Sequence, residues 1–307
     1  MEQLSGQDAS FVYLDTPNTP MHIGSVAIYD PSTAPGGFVR FKDILRHIEG
    51  RLDKARSFRQ KLVRVPFDLD HPYWVEDANF DLEYHVRHIA LPQPGDWRQL
   101  CIQVARLHAR GMDLTKPLWE FNIVEGLDNI PGIPKGSFAL VSKVHHAAID
   151  GMSGVELSAA VHDLEPKEVP EAPPSSWKPE SDPKLAEMLM RTWFNSVTQP
   201  VKFAKTVANT VPGIARLTKE IAGGDVSLKS TRMAPQTIFN GKVGPHRVFD
   251  GVVYSLADIR AIKERIEGAT VNDVVISSVT GALARYLGAR GQDTADMNLR
   301  AMVPVNL

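Results

Sequence analysis

The sequence predicts a mixed α/β (α+β) fold. Short runs rich in β-branched and aromatic residues, punctuated by proline and glycine, recur through the first 150 residues. Between them lie longer runs whose apolar residues repeat at helical spacing. A chain of 307 residues can also bury a sizeable core and predicts two domains.

Taken in order, Met21–Asp30 (MHIGSVAIYD) is β-rich and partly alternating, which predicts a strand. Phe38–Leu52 has the spacing of an amphipathic helix. PYWVED and LEYHVRHIAL predict strands. DWRQLCIQVARLHARGM predicts a helix opened by Asp96 and stopped near Gly111. PLWEFNIVEGL, opened by Pro117, and GSFALVSKVHH predict two more strands, the second with Phe138, Leu140 and Ser142 on one face. MSGVELSAAVHDL then predicts a helix. These elements define a first domain over residues 1–164.

Residues 165–235 predict a linker and connecting helices. Glu165–Pro183 is rich in proline, glutamate and serine. The helical stretches from Lys184 to Ile221 carry Lys184, Arg191, Lys202, Lys205, Arg216 and Lys219 interleaved with Trp193, Phe194 and Phe203. Two readings stay open: a helix lying on an anionic membrane surface, or a linker helix packed on its own domain. Residues 236–307 predict the start of a second domain. RVFDGVVYSL predicts a strand, and ADIRAIKERIEG a helix. TVNDVVISSVTGALARYLGARG predicts an apolar helix with Thr270 or Asn272 near its N-cap. MNLRAMVPVNL predicts a last strand.

Composition excludes several classes. A formal charge of −2 gives no basic field for nucleic acid. Cys101 is the single cysteine, so no internal disulfide forms, which fits a reducing cytoplasm. The opening MEQLSGQDAS lacks the features of a signal peptide. No apolar run approaches the roughly 20 residues of a spanning helix, so any membrane association is expected to be peripheral.

The pattern His-x-x-x-Asp-Gly occurs twice, at His146/Asp150 and His246/Asp250. Ten histidines make one such match expected by chance, so context decides. His246 is flanked by Arg247, Phe249 and bulky valines and precedes no helix start, which reads as a surface or structural histidine. His146 lies between an apolar strand and a helix, beside the small Ala147 and Ala148, and Gly151 permits a tight turn. A histidine so placed is a candidate general base near neutral pH, with a satisfied buried histidine as the alternative. No metal is expected. His145 and His146 point to opposite faces of a strand, and neither His-Glu-x-x-His nor Cys-x-x-Cys occurs. A covalent nucleophile is poorly supported, since Cys101 falls mid-helix and Ser153 is not in Gly-x-Ser-x-Gly.

HHAAIDG resembles the His-His-x-x-x-Asp-Gly motif of the bacterial wax ester synthase/diacylglycerol acyltransferase family. So, in order, do LSGQDASFVYLDTPNTPMHIGSVAIYD, KPLWEFNIVEGL with Pro117, Leu118 and Trp119, TVNDVVISSVTGALARYL with Asn272 and Asp273, and LRAMVPVNL. The first motif alone is shared with chloramphenicol acetyltransferases, peptide-synthetase condensation domains and plant BAHD acyltransferases. The four blocks in this order are far more specific.

The resemblance implies a chloramphenicol-acetyltransferase-like fold, a mixed sheet with flanking helices. It implies a second domain that is incomplete here, since family members continue past this point. It implies transfer of a fatty acyl group from acyl-CoA to diacylglycerol or a long-chain alcohol, with acyl-CoA as substrate and no cofactor. His146 would be the base and Asp150 would orient its loop, with His145 and Gly151 in support. Asn272 and Asp273 would either stabilise an oxyanion or hold a helix start. Pro117, Leu118 and Trp119 would shape the core or an acyl channel. The expected location is the cytoplasm, peripheral on the inner membrane or on lipid inclusions. The rivals are a same-fold acyltransferase with another acceptor and a non-catalytic lipid-surface protein.

Overall fold

A computed structural model describes residues 1–149, 157, 159–163, 177, 181–195, 197–198, 237–295 and 297–299. These fall into two units. The first holds the described residues up to 198 together with 243–249, and the second holds 237–242 and the described residues from 250 onward.

The centre of the first unit is a four-stranded mixed sheet of β2 (His22–Tyr29), β5 (Val86–Ala90), β6 (Trp119–Glu125) and β7 (Phe138–His145), in the order β2-β7-β6-β5. β7 pairs antiparallel with both β2 and β6, and β5 runs parallel to β6. A parallel pair needs a crossover. α4 (Trp97–Ala109) supplies it, opened by a capping box in which the Asp96 carboxylate accepts from the Gln99 N–H at 2.8 Å. Gly95, just before that cap, has φ +71, and a Cβ there would meet the Gly126 carbonyl oxygen at 1.9 Å, so only glycine fits.

Alternation along β7 sorts the sheet into two faces. Ala139, Val141, Lys143 and His145 are buried on the α4 side, with Leu100, Val104 and Leu107 of α4 in the core there. Phe138, Leu140, Ser142 and Val144 are on the other face. That face is covered by α2 (Phe41–Glu49) and by Leu157 and Ala160, around a core that includes Ile48, Phe58, Trp119, Phe121 and Ile123. A smaller antiparallel sheet joins β1 (Glu2–Gln3), β4 (Tyr73–Glu76) and β3 (Gln60–Val63) in the order β1-β4-β3. α1 (Gly6–Leu14) packs Ala9 and Val12 against Leu62, Leu118, Ala147 and Ala148.

Several expectations are corrected. The helix expected over Phe38–Leu52 is shorter, Phe41–Glu49. LEYHVRHIAL is half strand: Leu82–His85 form α3, one helical turn capped by the Asp81 carboxylate, and the His85 ring donates to the buried Trp119 carbonyl at 2.8 Å. RVFDGVVYSL forms no strand. It finds no ladder partner among the described residues, so Val248, Val252, Val253 and Tyr254 stay exposed. In the second unit the expected helices are present as Leu256–Lys263 and Val271–Ala289. The helix after Gly151 and the linker lie largely outside the described residues, and the last strand expected from MNLRAMVPVNL does so almost entirely.

Candidate active site

β7 ends in the two adjacent histidines. The His145 N–H donates to the Leu118 carbonyl at 3.0 Å, and the His146 N–H donates to the Met21 carbonyl at 2.8 Å. Both neighbouring strands therefore grip this end. The backbone of His145 is still extended (φ −69, ψ 141), so the two side chains leave on opposite sides.

His145 is fully buried. Its Nδ1 accepts from the Ala147 N–H at 3.1 Å, and its Nε2 lies 3.1 Å from the Asp15 carboxylate. A nitrogen that accepts from an amide carries no proton, so Nε2–H donates to Asp15. Burial holds this imidazole below its ordinary pKa, against the opposing pull of Asp15. Across the ladder His22 is pushed down to about 4, by burial first and by the Lys143 ammonium second. Its Nε2 donates to the His108 carbonyl at 2.8 Å. Buried Lys143 lies 3.4 Å from Glu120 and donates to the carbonyls of Leu107 and Arg110, which ties the last turn of α4 to β7. His145 thus sits in a fully built, rigid environment.

His146 is half-buried on the other side. Its ring stacks on Phe11 of α1, with centroids 4.7 Å apart and planes 16° from parallel. Burial lowers its pKa, so the ring is neutral at pH 7 and able to take a proton. Among the described residues no side chain hydrogen-bonds this ring. The small Ala147 and Ala148 do not leave open space beside it. They are buried under α1, and their size is what lets α1 approach closely enough to stack Phe11 on the imidazole.

Pro117, Leu118 and Trp119 are buried. Leu118 joins the α1 core, and the indole N–H of Trp119 donates to the Phe58 carbonyl at 2.9 Å. Asn272 and Asp273 belong to the second unit. There Thr270 caps the helix Val271–Ala289, and the Asp273 carboxylate accepts from the Thr270 hydroxyl and from the Thr270 N–H, both at 2.7 Å, which holds that carboxyl below its ordinary pKa. Asn272 is exposed in the first turn. His246 is exposed, and its carbonyl accepts from Arg247 at 3.0 Å. Asp150 and Gly151 lie outside the described residues. Among the described residues no group of three or more His, Cys, Asp or Glu could hold a metal ion, and no helix is long and apolar enough to cross a membrane.

Sequence reasoning gave no role to Phe11 or Asp15. Phe11 lies in the last turn of α1 and Asp15 is its C-cap, already in extended backbone. No local pattern in the sequence signals their pairing with the two histidines.

Comparisons with known proteins agree with this architecture. Residues 4–275 match the family model described as wax ester synthase/diacylglycerol acyltransferase catalytic domain. A Mycobacterium tuberculosis (strain CDC 1551 / Oshkosh) protein provisionally named a diacylglycerol O-acyltransferase is 34% identical over all of this chain and 59% of its own length. A second, shorter relative from the same strain, also provisionally named so, is 32% identical over 86% of this chain and 96% of its own length. Among solved structures, the wax ester synthase/diacylglycerol acyltransferase from Marinobacter aquaeolei VT8 superposes with a TM-score of 0.59 at 29% identity, over 94% of this chain and 61% of that one. The chain thus spans about 60% of the first of these relatives and of the solved structure. The fold is the chloramphenicol-acetyltransferase-like mixed sheet with flanking helices. The chain belongs to the wax ester synthase/diacylglycerol acyltransferase family.

Proposed function

We propose that this protein moves a fatty acyl group from acyl-CoA to the hydroxyl of diacylglycerol or a long-chain alcohol, with His146 as general base. One observation carries the reading: a neutral imidazole at the end of a rigid strand, its backbone clamped by Met21 and its ring by Phe11. A base near neutrality in a fixed position is what direct transfer requires.

The ring takes the proton from the acceptor hydroxyl as its oxygen attacks the thioester carbonyl. The tetrahedral intermediate collapses, the C–S bond breaks, and the imidazolium protonates the departing CoA sulfur. No acyl-enzyme forms. His145, locked by Asp15 and the Ala147 N–H, holds the strand end from behind. Asp150 orients the loop that follows. Of the two readings for Asn272 and Asp273, the cap in which Asp273 accepts from Thr270 supports the one that holds a helix start. No cofactor takes part.

Substrates this apolar favour a peripheral position on the inner membrane or on lipid inclusions. The helix at 185–195 supports that position. Within the first unit Met188 and Thr192 of this helix are buried, while Leu189, Met190, Trp193 and Phe194 are exposed.

The test is turnover of palmitoyl-CoA with hexadecanol or with diacylglycerol. His146→Ala is expected to lower kcat by 10²- to 10⁴-fold with the fold retained. Unchanged turnover in that variant refutes the base assignment. Lipid binding without any turnover in the unaltered protein favours the non-catalytic reading.

A further inference from the structure

The sheet face that carries Val144 also holds a cavity of about 220 Å³, and its wall is almost entirely apolar. The space is half open, and an apolar occupant would remove its apolar wall from water. Ile44 and Ile48 of α2 form one wall, and Phe121, Ile123 and Leu140 form the floor. Tyr29 and Phe138, opposite each other in the last rung of the ladder and stacked at 5.1 Å, stand at the far end. The polar groups at its edge are already engaged. The Tyr29 hydroxyl bonds His162, the His47 ring donates to the Val161 carbonyl at 2.9 Å, and Asp43 pairs with Arg46; beyond the lining, Arg51 pairs with Asp163. The contacts to residues 161–163 hold that segment in place, and the interior is left without an offered polar partner.

The same face leads back to His146. From the cavity the rungs run Ala27/Leu140, Ser25/Ser142 and Ile23/Val144. The middle rung is two serines whose hydroxyls bond each other at 2.6 Å, so the floor stays low there, and Ser25 is exposed. The extended His145 keeps the alternation, which puts the His146 ring on the Val144 side.

We infer that this cavity receives the end of the donor's acyl chain, whose thioester sits at His146, and that it sets chain-length preference. The inference rests on the acyl-transfer reading. Four residues separate His146 from the Ser142/Phe121 rung where the cavity begins, about 13 Å at roughly 3.3 Å per strand residue. An extended alkyl chain advances about 1.25 Å per carbon, from a C–C bond of about 1.5 Å and a near-tetrahedral angle. About ten carbons therefore reach the cavity. A cavity of about 150 Å³ holds benzene's six carbons, so by proportion 220 Å³ holds about nine. The two lengths add to about nineteen carbons at most, so a sixteen-carbon chain fits with about its last six carbons in the cavity. One chain is all the volume admits, which suits a thioester with a single tail and not the two tails of diacylglycerol.

Two variants fill the cavity from opposite walls, Ile44→Trp and Leu140→Trp. Each is assayed with octanoyl-CoA and palmitoyl-CoA at fixed hexadecanol, and then with octanol and hexadecanol at fixed octanoyl-CoA. Each excluded methylene is worth about four-fold in affinity. The expected result is a fall of at least ten-fold in kcat/KM for palmitoyl-CoA, with octanoyl-CoA changed less than two-fold and the alcohol preference unmoved. An unchanged palmitoyl/octanoyl ratio in both variants, with Tm retained, overturns the inference. A shift confined to the alcohol series overturns it too, since the occupant is then the acceptor. If the unaltered protein turns over no acyl-CoA, the proposed function fails and calorimetric binding of palmitate decides the cavity separately. Binding lost in both variants supports it, and no binding to the unaltered protein overturns it.

Discussion

Asp15 offers the sharpest test of how the strand end is held. Its carboxylate is the partner of a fully buried imidazole whose other nitrogen already accepts from the Ala147 N–H. Asp15→Ala leaves the His145 Nε2–H buried and unpaired, which costs about 1–3 kcal/mol. In a chain of this size each kcal/mol moves Tm by about 2–4 °C, so the expected loss is about 5 °C. Asp15→Asn keeps an acceptor in place, because the amide oxygen can take the same N–H. It loses only the charge-assisted part, about 1 kcal/mol. The order Asp, Asn, Ala in Tm by differential scanning calorimetry checks this, with kcat falling in the same order as His146 loosens. Removing the carboxylate also removes what pulls the His145 pKa upward, so its ring titrates still lower in Asp15→Asn by NMR. The result that refutes the reasoning is a Tm for Asp15→Ala within about 1 °C of the unaltered protein, since an orphaned buried N–H cannot be that cheap.

Three further outcomes follow from the same geometry. Phe11→Ala uncovers the His146 ring, whose pKa is lowered by burial, so the acid limb of the kcat/KM profile moves to higher pH. The buried His22 binds a proton only near pH 4 when folded but near 6.5 when unfolded, so stability is complete above about pH 6.5 and is lost as pH falls toward 4. Tm measured from pH 7 to pH 5 should fall, and His22→Gln should flatten that slope. In the second unit, Asp273→Ala removes a capping-box partner and is expected to lower Tm; an unchanged Tm contradicts the role given to it.

Local pattern and local chemistry were readable without coordinates. The alternation of FALVSKVH names the strand and its two faces, and Asp96 with Gln99 names the start of α4. Adjacent histidines at a strand end must diverge whatever surrounds them. The same local logic failed at RVFDGVVYSL, because β-propensity expresses a fit to neighbouring strands and the segment has none among the described residues. It half failed at LEYHVRHIAL, where a contact to Trp119, 34 residues away, accompanies a helical turn in place of strand.

The amino-acid sequence by itself determined which residues could alternate, cap, bend or carry a proton, because these depend on neighbours within a few positions. Only the tertiary structure decided which carboxylate locks His145, which ring lies on His146, and that a cavity opens further along the same face. Asp15 and His145 are 130 residues apart, and Phe11 is 135 residues from the ring it covers. Nothing in the spacing of such pairs encodes their meeting. It is set by the burial of Ala9 and Val12 of α1 against Ala147, Ala148 and Leu118, a packing choice made by the whole core at once.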